Sequence, residues 1–291
     1  MKPPPFRYHA PQSVTETLDL LDEYADEAKV LAGGQSLVPM LNFRLALPGH
    51  LIDINALPDL NTPVRTDTGW RIPALVRQRV AERSPQLGVS VPMLHYALTQ
   101  VAHPQIRNRG TICGSLAHAD PAAEMPTVMV ALDATMMLAS RGGTRTVPAD
   151  DFFIFHLTSA LEPNEMLLGV EIPDPAPITY TSFLEFAPRR GDFCVAGVAG
   201  SVTFDSDGRV RVCRLVAAGV AATPARLTQA ETALVGTSFD DTALVEAAAA
   251  AQREVSPTGD VHGDERYRRR LVGVLTRRVL ADIRIRKEVD R

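Results

Sequence analysis

At 291 residues, 45% hydrophobic and 22% charged, the chain has the make-up of a globular protein large enough for two or three domains, which excludes disordered and fibrous classes. A formal net charge of −4 offers no basic excess for nucleic acid, whose phosphates demand clustered lysine and arginine. Cys113, Cys194 and Cys213 are scattered without C-x-x-C spacing, which argues against a metal or iron–sulfur site on this chain and for a reducing compartment.

The proline-rich start, MKPPPFRYHAPQSV, has no apolar leader, and no later window reaches the roughly eighteen apolar residues of a membrane span, so a cytoplasmic protein is expected. Ser13, with Glu16 three positions on, predicts a capped helix with Val14, Leu18 and Leu21 on one face. AKVL predicts a short buried strand running into AGGQSL, and HLIDI at 50–54 a second, which together make a small α/β unit. A strand near WRIPAL and helices through VRQRVAER and SVPMLHYALTQVA follow. Residues 107–124, RNRGTICGSLAHADPAAE, read as a second glycine-bearing loop, with Asp120 and Pro121 starting a helix through PAAEMPTVMVAL. ATMMLAS and TRTVP are strands flanking a turn at Gly142 and Gly143, and EMLLGVEIP is another. Proline density in PDPAPI, 173–178, marks a domain boundary. Beyond it, YTSFLEFA, CVAGVAGSVTFD and RVRVCRLVAAG predict three strands, the last two joined by a hairpin turn at 205–208, and the remainder is helical. In the final helix Tyr267, Leu271, Val274, Leu275 and Val279 predict an apolar stripe. Arg266, Arg268, Arg269, Arg270, Arg277 and Arg278 form a charged face, either solvated or a subunit interface. Strands followed by helices make the class α+β.

AGGQSL lacks the Gly-Lys-Ser/Thr ending of a P-loop and the G-x-G-x-x-G order of a dinucleotide fingerprint. Two glycine segments, each after apolar sequence, suit one extended ligand approached by backbone, with serine, threonine and free amides donating to phosphate oxygens; two ordinary turns are the alternative. Arg107 and Arg109 flank the second segment and either steer an anion or are simply solvated. His118, Asp120 and Glu124 are not read as metal ligands, because Asp120 serves as a helix cap. No paired carboxylates or Ser-His-Asp order stand out, so no catalytic side chain is assigned.

AGGQSLVPMLNFRLALP and PQIRNRGTICGSLAHADPAAEMP together resemble the FAD-binding medium subunit of the molybdenum hydroxylases, the carbon monoxide dehydrogenase and xanthine dehydrogenase type. The likeness extends through VPADDFF, LLGVEIP, FLEFAPRRGDF and RYRRRLVGVLTRR. It implies a vanillyl-alcohol-oxidase-like (PCMH-type) two-part FAD-binding domain, 1–55 and 56–175, and a C-terminal α+β domain, 178–291, with a three-stranded antiparallel sheet and helices. It places FAD against Ala32, Gly33, Gly34, Gln35 and Ser36 in one loop and Thr111, Ile112, Cys113, Gly114 and Ser115 in the other, with Lys29 and Glu124 as further contacts. Cys113 stands where the family pattern has a glycine, and Ser115 where it has an asparagine. The implied function is electron transfer: substrate is oxidised on a molybdopterin-containing large subunit, two [2Fe-2S] clusters on a small subunit carry the electrons, and this chain passes them to an acceptor through FAD. The alternatives are a stand-alone FAD-dependent oxidase or dehydrogenase, a repurposed biosynthetic enzyme on the same fold, or a non-catalytic interaction module.

Overall fold

The computed structural model describes residues 2–290. The chain opens with β1 (Arg7–His9), α1 (Val14–Tyr24), β2 (Ala28–Leu31), α2 (Leu37–Asn42) and β3 (His50–Asp53). Ser13 caps α1 as predicted, its hydroxyl accepting the Glu16 amide at 3.1 Å, while the Glu16 carboxylate reaches back to the amide of Gln12 rather than to that of Ser13. The three strands form a parallel sheet in the order β1-β3-β2. Sequence reading missed β1, whose exposed residues have no apolar pattern and which is held by pairing with the buried His50–Ile52 run.

The middle of the chain holds β4 (Val64–Arg65), β5 (Gly69–Pro73), α3 (Gln78–Glu82), α4 (Pro85–Ser90), α5 (Pro92–Leu98), α6 (Pro104–Arg107), α7 (Ile112–His118) and α8 (Glu124–Ala131). It continues through β6 (Thr135–Ser140), β7 (Gly143–Pro148), α9 (Ala149–Phe152), β8 (Phe153–Phe155), β9 (Thr158–Ser159) and β10 (Met166–Pro173). An antiparallel sheet runs β4-β5-β10-β6-β7. The predicted loop over 107–124 is instead mostly helical: Thr111 caps α7 through its hydroxyl, which accepts the Gly114 amide at 2.9 Å. Nor does Asp120 start the next helix. Its carboxylate accepts the Ala122 amide in a turn, and α8 begins at Glu124 with Ala123 as N-cap.

The last part comprises β11 (Thr179–Phe186), β12 (Ala196–Phe204), β13 (Val210–Ala218), β14 (Ala225–Arg226), α10 (Thr228–Leu234), α11 (Asp241–Glu254) and α12 (Glu265–Val289). The predicted three antiparallel strands are present, joined by the expected turn in which Gly208 takes φ +80°, and a two-residue fourth strand, β14, pairs at the edge of β13. Val272, Leu275, Val279, Leu280 and Ile283 of α12 are buried, each contributing about 1.5–3 kcal/mol of apolar transfer. Of the predicted stripe, Tyr267 and Val274 face solvent, because the buried row follows residues three and four apart from Val272. Val279 sits where a Cβ on Gly200 of β12 would be 2.6 Å from its Cγ1, so helix and strand approach as closely as glycine allows.

Two compact units result. The first comprises 1–83, 103–119 and 133–173; the second comprises 84–102, 120–132 and 174–291. In the first, a core of Leu21, Ala28, Ile52, Ile54, Leu57, Ala74, Leu75 and Met166 joins the parallel sheet to the antiparallel one. In the second, the apolar face of α12 packs with Val198, Val202, Leu215 and Ala217 from β12 and β13.

Candidate cofactor site

The two glycine segments meet in the first unit, backbone against backbone. A Cβ on Gly33 would lie 2.5 Å from the Arg109 carbonyl oxygen and 2.8 Å from the Gly110 Cα, so no other residue fits there without moving main chain. Gly34 adopts φ +73°, a left-handed conformation that turns the chain from β2 into α2. Val38 and Met40 donate to the carbonyls of Gly34 and Ser36, whereas the amides of Gly33, Gly34, Gln35 and Ser36 find no acceptor among the described residues. Four successive free amides in a partly buried turn make a nest for an anion. Gln35 folds its carboxamide onto the Gly33 carbonyl at 3.2 Å, which stiffens the turn.

The second segment enters from the short α6. Ile112 donates its amide to Val76 and Gln78 to Gly110, so Thr111 pairs with Arg77 as an isolated antiparallel bridge. A Cβ on Gly114 would be 2.6 Å from the Thr111 hydroxyl, so a larger residue would have to shift that side chain. Ile112 and Cys113 turn their side chains into the core and can offer a ligand only backbone. The Cys113 thiol donates to the Ile72 carbonyl at 3.4 Å, and burial pushes it up to about 12. The extra atoms of cysteine are therefore taken up on the β5 side, and the thiol is an inert buried group. Gly114 and Ser115 are partly exposed.

Side chains absent from the sequence-based site connect the segments. Asn55, just past β3, donates to the Ala32 carbonyl at 2.8 Å and accepts from the Arg77 guanidinium, which also donates to the Arg109 carbonyl. Asp53 accepts the Asn55 backbone amide at 2.9 Å and the Tyr8 hydroxyl at 2.6 Å. Burial raises the Asp53 carboxyl, but the bonds from Tyr8 and Asn55 outweigh it and hold the group below its ordinary value. Burial, then the nearby Arg109, lowers Arg77. The only sequence signal for this network was two polar residues, Asp53 and Asn55, closing an otherwise apolar strand.

The remaining predicted residues have these settings. Lys29 lies on β2 opposite Leu51, exposed. Glu124 belongs to the second unit, where it is buried as the first residue of α8. Arg107 is no surface residue: its guanidinium is buried and pairs with Glu82 at 2.9 Å. The exposed neighbour is Arg109. Among the described residues, no cluster of three histidine, cysteine or acidic side chains is arranged for a metal, and no helix is long and apolar enough to cross a membrane.

FAD carries a pyrophosphate, and the segments present what such a group needs: free amides, glycine where a Cβ would intrude, and a capped helix start beside them. The residues fit the cofactor. Residues 4–175 match the FAD binding domain in molybdopterin dehydrogenase, and residues 181–283 match the CO dehydrogenase flavoprotein C-terminal domain. The chain is 40% identical to the 6-hydroxypseudooxynicotine dehydrogenase complex subunit alpha of Paenarthrobacter nicotinovorans, over 97% of this chain and 95% of that one. It is 37% identical to the carbon monoxide dehydrogenase medium chain of Hydrogenophaga pseudoflava, over 96% and 97%. A solved structure of carbon monoxide dehydrogenase from the same organism superposes with a TM-score of 0.95 at 38% identity, covering 98% of this chain and 99% of the other. Quinoline 2-oxidoreductase from Pseudomonas putida 86 superposes at 0.93 and 36% identity, with 99% of each chain covered. With its fold, both halves and its glycine segments in agreement, the chain belongs to the FAD-binding medium subunits of the molybdenum hydroxylase family and is the flavoprotein subunit of an oxidoreductase.

Proposed function

We propose that this chain is the electron-transfer subunit of a molybdenum hydroxylase, relaying electrons from [2Fe-2S] clusters on a small partner to an external acceptor. Substrate is oxidised on a molybdopterin-containing large subunit. The observation that carries the reading is the backbone contact of Gly33 with Arg109 and Gly110, which sets the free amides of the first segment beside the second segment. In this reading Gly33, Gly34, Gln35 and Ser36 hold the anionic part of FAD through their amides. Thr111, Gly114 and Ser115 hold it from the other segment, and Ala32, Ile112 and Cys113 contribute main chain. Lys29 supplies positive charge on β2, and Glu124 is the further contact that the family likeness implies. Bound FAD supplies the redox chemistry; the protein binds, orients and shields it. The division of the FAD module into 1–55 and 56–175 belongs to the same proposal and is supported by the separate parallel and antiparallel sheets. So does a C-terminal domain over 178–291, built on the β11–β14 sheet.

Partner subunits are expected because relatives bear the names medium chain and complex subunit, and because, among the described residues, no group of three cysteine, histidine or acidic side chains is arranged for a metal. A cytoplasmic setting is part of the same reading. The test is purification of the chain alone and with its neighbours. A flavin absorption band on the isolated chain, no substrate oxidation by it, and co-purification with molybdenum and iron–sulfur proteins are the expected results. Full turnover by the isolated chain would instead establish a stand-alone oxidase or dehydrogenase.

A further inference from the structure

We propose that Arg77, held by Asn55, is a positioning residue for the cofactor: it ties the carbonyl side of one glycine segment to that of the other and so fixes the gap across which FAD is held. The inference rests on the assignment of the two segments as cofactor loops. Three observations converge on it. The Arg77 backbone is bridged to Thr111, at the start of the second segment. One arm of its guanidinium donates to the Arg109 carbonyl, the same oxygen against which Gly33 packs. The other arm donates to the Asn55 carboxamide, whose nitrogen donates to Ala32, the residue before Gly33.

Each bond is made to a main-chain carbonyl or to the side chain that grips one, and the amides of Gly33, Gly34, Gln35 and Ser36 take no part in it. The geometry demands arginine. Its planar fork reaches two acceptors at once, while a lysine ammonium retains the charge and loses the fixed spread between them. Asp53, bonded to Tyr8 and to Asn55, keeps the carboxamide turned so that its oxygen faces Arg77 and its nitrogen faces Ala32. The arrangement orients binding groups without touching the ligand, as outer partners of a bound group do.

The experiment titrates the full-length, flavin-stripped chain with FAD, following quenching of flavin fluorescence, for Arg77→Lys, Arg77→Ala, Asn55→Ala and the Asn55→Ala/Arg77→Ala pair. Thermal unfolding of each apo chain is measured alongside. Loss of one charge-assisted bond predicts affinity weaker by about tenfold in Arg77→Lys and Asn55→Ala. The pair should be no weaker than Arg77→Ala within about twofold, because both substitutions cut one link. Apo melting should stay at the wild-type value in Arg77→Lys, and the salt dependence of binding should keep its slope, since the charge is retained. Wild-type affinity in Arg77→Lys and Asn55→Ala would overturn the proposal. So would affinity losses that track falling apo stability in every variant, or a changed salt slope in Arg77→Lys. If Gly33→Ala binds FAD as wild type does, the loop assignment itself falls and this inference with it.

Discussion

At Gly33 the site turns on a single missing methyl. A Cβ there would sit 2.5 Å from a main-chain oxygen that cannot swing aside as a side chain does. Gly33→Ala therefore has to part the two segments, and we expect at least about a tenfold loss of FAD affinity, read as flavin bound per chain, with the fold retained. A second residue bears on stability. Glu185, on β11, has a carboxyl oxygen buried with no hydrogen-bond partner among the described residues, and burial pushes the group up to about 7. Between the unfolded value of about 4.3 and the folded value, the folded chain keeps a proton that the unfolded chain has lost. Stability therefore falls as pH rises through that window and levels off above it, a difference of roughly 3 kcal/mol. Glu185→Gln keeps the shape and stays neutral, so urea midpoints at pH 5 and pH 8 should show the wild type losing ground to the variant at the higher pH. Equal differences at the two pH values would sink this assignment.

Among the elements, α12 shows what a helix of arginines is used for. Arg268, one residue of the face read as charged and exposed, is buried and donates to the carbonyls of Val195 and Gly219 at 2.6 and 2.7 Å and to Asp260 at 2.6 Å. Arg268→Ala strands three acceptors and should cost about 3 kcal/mol, with Arg268→Lys recovering only part, as measured by urea denaturation. Sequence could not single out Arg268, because two of its partners, Val195 and Gly219, lie far along the chain. The same limit explains the other misreadings. Ser13, the strands with alternating or continuous apolar runs and the turn at 205–208 were legible because their causes are local. The helical start at Thr111 was hidden behind Gly110 and Gly114, which read as loop although the Gly114 amide is the one the Thr111 hydroxyl caps. Asn55 and Arg77 were hidden because a bridge between residues twenty-two apart leaves no periodic mark.

For the whole molecule, the family likeness carried more of the site than any propensity did: the two segments became a pair by resemblance, and the structure then supplied the contact between them. The same scale decides what the remaining arginines of α12 do. Arg269, Arg284 and Arg286 are occupied with Glu265, Asp241 and Asp282, and Arg268 with Asp260. Arg266, Arg270, Arg277 and Arg278 are exposed and form no ion pair among the described residues. Arg266, Arg270 and Arg277 recur at four and seven residues, so they share one side of the helix, with exposed Val274 among them. A chain of net charge −4 that concentrates unpaired positive charge on one stripe is suited to an acidic face of a partner subunit. Arg270→Glu with Arg277→Glu leaves the core row of α12 untouched, so flavin content and melting temperature should match the wild type. Association with the co-expressed partners should weaken by about tenfold or more, and raising salt should weaken the wild-type complex toward the variant. A complex that assembles equally well with both charges reversed would return this face to plain solvation and move the search for the interface off α12.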